Sequence, residues 1–175
     1  MAYYTTGRPS SPEYAPYFSR YIDLVGGEDI IFALSGQIDR TIPTLRAVSE
    51  EASMKRYAPG KWILKEVLGH MIDTERIFAY RALRIARNDK TELPSFDQDA
   101  FVAGANFDQR PWSDLHAEFE LLRKVNILMF RGFDKHAWEL RGRASGGDLS
   151  ARAAAFIIAG HELAHMQMIR EKYIG

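Results

Sequence analysis

Two histidines stand four residues apart near the end of the chain, in Ala159-Gly160-His161-Glu162-Leu163-Ala164-His165-Met166. On a helix, positions i and i+4 share a face. The other residues of that face are Ala154, Ile157, Ile158, Met168 and Ile169, so the two imidazoles occupy places where the pattern calls for core residues. A buried imidazole must find partners for its ring nitrogens or cost stability. A shared metal ion supplies such a partner. Earlier in the sequence His70 lies on a stripe with Ile63, Val67, Thr74 and Ile77, which makes it a third candidate ligand. Three imidazoles without thiolates suit zinc, nickel, copper or iron, and they leave coordination positions open for water or substrate. The bland alternative is three satisfied core histidines. His116 and His136 fall beside an apolar stripe and in a loop, where surface placement is expected.

The string His161-Glu162-Leu163-Ala164-His165 also matches the H-E-x-x-H pattern of metalloproteases, in which the glutamate is general base for a zinc-bound water. The extended form needs glycine and histidine three and six residues beyond the second histidine. Met168 and Glu171 hold those places, so it fails. Around His70, Asp73 and Glu66 could accept a hydrogen bond from the ring and fix its tautomer, although both also read as solvated helix charges. Trp62 could line the mouth of a pocket or pack in the core. Arg76, Arg81, Arg84 and Arg87 read as a solvated basic face, or as ion-pair partners of acids such as Glu75 and Asp89. Phe96-Asp97-Gln98-Asp99 contains a D-x-D, but no calcium-loop spacing follows it.

Four segments with helical periodicity must position these residues. The first runs from about Glu28 to Val48, with Pro43 expected to kink it or split off its last turn. The second runs from Lys61 to about Asn88. The third starts at Pro111-Trp112, where proline suits a first helical position, and continues to about Phe133. The fourth follows Gly146-Gly147, with Asp148 or Ser150 as N-cap, and runs to about Tyr173. No alternating strand pattern appears. Four amphipathic helices predict an all-α four-helix bundle over residues 28–175. The long link from Asp89 to Arg110 implies a crossover between helices two and three. Residues 1–27, with Pro9, Pro12 and Pro16 among Tyr3, Tyr4, Tyr14, Tyr17, Phe18 and Tyr21, predict an extended aromatic arm packed on the domain or on a second subunit.

The composition narrows the function classes. Of 175 residues, 46% are hydrophobic and 26% charged, as in an ordinary globular domain. The 23 basic residues balance 23 acidic ones, which argues against nucleic acid as the main partner. Cysteine is missing altogether, and with it thiolate ligands and a cysteine nucleophile. No segment approaches the ~18 consecutive apolar residues of a membrane span. With no signal-peptide order at the N-terminus, the expected location is the cytoplasm.

Tyr57-Ala58-Pro59-Gly60-Lys61-Trp62, then Gly69-His70-Met71-Ile72-Asp73-Thr74-Glu75-Arg76, and finally Gly160-His161-Glu162-Leu163-Ala164-His165, together resemble the DinB-like superfamily. These are damage-inducible small helical proteins, distinct from the DNA polymerase that shares the name. The likeness extends to Tyr14-Ala15-Pro16-Tyr17 and Phe96-Asp97-Gln98-Asp99, and it rests on the order and spacing of the motifs. It implies a four-helix bundle in which one histidine from helix two and an H-x-x-x-H pair from helix four hold a divalent metal, zinc or nickel first among them. Those map onto His70, His161 and His165. Relatives commonly carry a further histidine in the place of Ala164, a departure that bears on the pocket lining. The superfamily includes metal-dependent transferases that use thiols such as bacillithiol or mycothiol. The resemblance therefore implies a small-molecule substrate, with an external thiol or water as co-reactant, and a homodimer. A non-catalytic metal- or ligand-binding bundle with a stress role is the alternative.

Overall fold

A computed structural model describes residues 6–174; Tyr3 and Tyr4 of the predicted arm lie outside them. Four long helices, α2 (Ile30–Arg46), α4 (Leu64–Ala86), α6 (Trp112–Arg131) and α8 (Ala151–Ile169), form a four-helix bundle. The shorter elements α1 (Ser19–Ile22), α3 (Glu50–Ser53), α5 (Gln98–Ala105) and α7 (Lys135–Glu139) fill the connections. α8 packs against α4, α1 and α2, while α6 packs against α2 and α4. The sequence marked α8 as amphipathic, yet from Ala153 to Glu162 it is buried all round. Its run of alanines explains this, because small side chains let three neighbours approach one axis.

Local chemistry accounts for the boundaries. Asp29 caps α2 through Phe32 N–H, and Ser150 caps α8 through Ala153 N–H, so Ser150 rather than Asp148 is the cap. α2 runs through Pro43 to Arg46 instead of ending before it. Proline removes one backbone donor. Here Pro43 is exposed one turn from the helix end, where water meets the freed carbonyl.

Two expectations need correction. A hairpin exists: β1 (Arg141–Ala144) pairs antiparallel with β2 (Gly147–Ser150) around Ser145 and Gly146, both with positive φ (55° and 78°). Two such residues make the turn that matches strand twist, and four-residue strands are too short to show alternation. Nor is the arm extended throughout its described residues. Its prolines start 3-10 turns at Ser11–Glu13 and Pro16–Phe18, and α1 follows. The crossover likewise contains α5 and a further 3-10 turn, Phe107–Gln109.

The hairpin ties these pieces together. Single bridges join Tyr14 to Leu149 and Leu93 to Ala144, so arm, crossover and hairpin meet at one end of the bundle. Glu13, 1% exposed, is bonded by Ser150 Oγ and paired with Arg152. Burial alone would raise its pKa, but the bonds from Arg152, Ser10 and Ser150 outweigh that and hold it at about 2.

Candidate metal centre

The three histidines converge between α4 and α8. His70 Nε2 lies 3.0 Å from His161 Nε2, and the ring centroids are 4.9, 5.0 and 4.3 Å apart. One nitrogen from each ring falls within 4.8 Å of the other two. Around a single zinc ion, tetrahedral nitrogens at about 2.0–2.1 Å lie roughly 3.4 Å apart. The widest pair therefore needs to close by only about 1.4 Å, a side-chain adjustment. Burial is the main force on all three rings: it lowers the pKa of His70 to about 4 and that of His165 to about 3, and takes His161 well below its ordinary value. At neutral pH the cluster is three uncharged imidazoles, the form that ligates metals. His165 Nδ1 is buried without a hydrogen-bond partner, which leaves a donor or acceptor unexplained by the protein alone. The donor set thus fits a divalent ion.

Each helix brings its histidine in behind a glycine. A Cβ at Gly160 would stand 2.0 Å from the carbonyl oxygen of Tyr21, and one at Gly69 would stand 2.4 Å from the ring of Phe107. Gly160 thereby admits the backbone of α1 against α8, and Tyr21 then sets its ring edge-on to His161 at 5.3 Å. The repeated Gly-His pair was the sequence signal for this packing. Trp62 tilts over His70 with centroids 5.1 Å apart, and its carbonyl accepts a hydrogen bond from Tyr173.

The two predicted carboxylates lie elsewhere. Glu66 accepts from the Ile63 backbone N–H at the start of α4. Asp73 is 3.8 Å from Arg76, in a cluster with Glu118 and Arg110, and burial raises its pKa. Neither hydrogen-bonds His70. His136 is exposed, whereas His116 is half-buried, with Nδ1 unpartnered.

Glu162 turns into the core. Its carboxylate accepts from Thr41 Oγ1 and pairs with Arg123, which also holds Glu75. Asn126 Nδ2 donates to Glu75 as well. Burial opposes the charge on Arg123, but Glu162 and Glu75 more than offset it and raise its pKa. A carboxylate so engaged is not free to act as general base at the histidines, which disposes of the H-E-x-x-H protease reading.

A cavity of about 420 Å³ opens onto His70 and His161. The arm contributes Tyr17, Phe18 and Tyr21 to it, and the crossover contributes Ser95, Phe96 and Gln98. Along α4 the wall runs His70, Thr74, Phe78, Arg81. Arg81 corrects the reading of a uniform basic face. It is 3% exposed, while Arg84 pairs with Asp89 as anticipated and Glu75 goes to Arg123. A second depression of about 320 Å³ touches His165 with Ala164, Met168, Arg20 and Tyr21.

A family model described as the DinB superfamily matches residues 33–169, most of the chain. The chain belongs to the DinB superfamily. Among solved structures, this superfamily member is similar to YfiT from Bacillus subtilis, described as "a probable metal-dependent hydrolase with an unusual four-helix bundle topology". The TM-score is 0.72 at 15% identity, covering 84% of this chain and 87% of that one. Likeness at that identity speaks for the fold. No curated protein matches the chain in sequence.

Proposed function

We propose that this DinB-superfamily protein is a metal-dependent enzyme that holds one divalent ion on His70, His161 and His165 and acts on a small molecule, by hydrolysis or by transfer to an external thiol. The observation that carries the reading is the convergence of three imidazoles, two of which, His70 and His161, line a cavity large enough for a small substrate. Zinc and nickel suit such a donor set. When bound, the ion supplies Lewis acidity at neutral pH.

The chain's own residues do the rest. Tyr21 and Trp62 pack on the imidazoles of His161 and His70 and restrict their rotation. The apolar walls, Phe18, Phe78, Phe96 and Ile157, exclude water from a bound substrate. No carboxylate lines the cavity among the described residues, although the charge of Asp99 reaches His70 and partly offsets its burial. Among the described residues no helix is long and apolar enough to cross a membrane. Leu121, Val125 and Leu128, exposed at helical spacing on α6, fit a homodimer.

The test is turnover by zinc- or nickel-loaded protein on two panels, one of esters and amides and one of thiol–electrophile pairs. Activity on either, lost in His161→Ala, is expected. Loaded, folded protein inert on both would leave a binding role.

A further inference from the structure

The cavity carries charge chemistry at the end away from the histidines. Arg81 is 3% exposed and forms no ion pair among the described residues. Its Nη2 donates to Pro94 O at 2.6 Å and to Ser145 Oγ at 2.9 Å, and the guanidinium lies 4.8 Å from the Phe78 ring centroid. Neither oxygen carries a charge. A buried guanidinium is ordinarily matched by a carboxylate, because an unmatched ion away from water is expensive. Burial lowers its pKa accordingly, with no acidic group offsetting the effect. Arg123, on the other side of α4, shows the usual solution with two carboxylates. One turn from His70, Thr74 Oγ1 is buried on the same cavity wall and has no hydrogen-bond partner.

We infer that the cavity takes a small monocarboxylate with an apolar middle, its carboxylate on Arg81 and its reacting group at the three histidines. The inference rests on the metal-centre reading for the second end only. Charge sets the class: one unmatched positive group balances a single negative one, and among the described residues only its Nη2 has hydrogen-bond acceptors. Length follows from α4. His70 and Arg81 are separated by eleven residues, or about 16 Å of helix axis. Helical side chains lean toward the N-terminus, His70 and Arg81 alike, so only the greater reach of the arginine shortens that span. The residue between them on that face, Phe78, and Phe18, which meets it edge-on at 5.5 Å, supply the apolar walls. Thr74 Oγ1 is placed to meet a polar atom next to the reacting group.

Titration calorimetry at pH 7.5 with 4-phenylbutanoate and its neutral amide tests this in wild-type protein, R81Q and R81K. Wild type should bind the acid at least tenfold more tightly than the amide. R81Q should bind both alike, and R81K should keep part of the preference. Equal binding of acid and amide by wild type overturns the inference. So does a preference that survives in R81Q, since the carboxylate would then sit on the metal. Because R81Q also removes the bonds to Pro94 and Ser145, the wild-type Arg81 Nε–Hε resonance is followed in parallel; it should move with the acid and stay with the amide, and the reverse overturns the inference. Metal content measured on the same preparations reports the metal-centre reading separately.

Discussion

Glu162→Gln set beside Arg123→Met tests whether the H-E-x-x-H glutamate belongs to the core or to the reaction. The buried cluster holds Arg123 between Glu75 and Glu162, both 2% exposed, for a formal charge of −1. Glutamine at 162 keeps the shape: its Oε1 accepts from Arg123, while its Nε2 faces the Thr41 hydroxyl, which turns to accept. It loses one charge-assisted bond, yet it also removes the repulsion between two carboxylates. The expected cost is about 1–2 kcal/mol. Methionine at 123 leaves both carboxylates without their cation, and the expected cost is about 4 kcal/mol or more. In a chain of this size that separates the two variants by roughly 5–10 °C in melting temperature. Urea unfolding at pH 7.5, with equal slopes, gives the difference directly. Metal content should be unchanged in Glu162→Gln. Refutation would be a Glu162→Gln protein that is as stable as wild type but has lost its metal or its turnover, which would put the carboxylate at the centre.

Gly160→Ala places a methyl group 2.0 Å from the Tyr21 carbonyl; α1 must move, and a loss of about 3 kcal/mol or more is expected in a thermal melt, with Gly69→Ala milder because a side chain can yield. Glu13→Gln should cost about 2–3 kcal/mol at pH 7 and speed tryptic cleavage at Arg20. Since the folded pKa of Glu13, about 2, lies below its ordinary 4.5, the contribution is complete above 4.5 and fades as pH falls toward 2. The wild-type advantage should disappear over that interval.

The histidine cluster was legible because an i, i+4 pair and core periodicity coincide on α8: His161 and His165 sit where isoleucine and alanine dominate. The four helices followed from the same periodicity, to within two or three residues at most ends. Arg81 was not legible, since Arg76, Arg84 and Arg87 look identical in sequence. Only the crossover, which brings the Pro94 carbonyl onto Arg81, separates a buried cation from solvated ones. The hairpin escaped because its strands are too short to alternate. The arm's prolines were read as breakers, although proline also begins helical turns. Glu162 was open to either reading until the opposite helices supplied Thr41 and Arg123.

The central claim is that His70, His161 and His165 form one metal centre. Its most direct test is plasma emission analysis of protein purified without an affinity tag, beside His70→Ala and His161→Ala. About one equivalent of zinc or nickel per chain in the wild type, lost in both folded variants, is the predicted result. Well-folded wild-type protein that carries no divalent metal and takes up none on dialysis against zinc or nickel would contradict it.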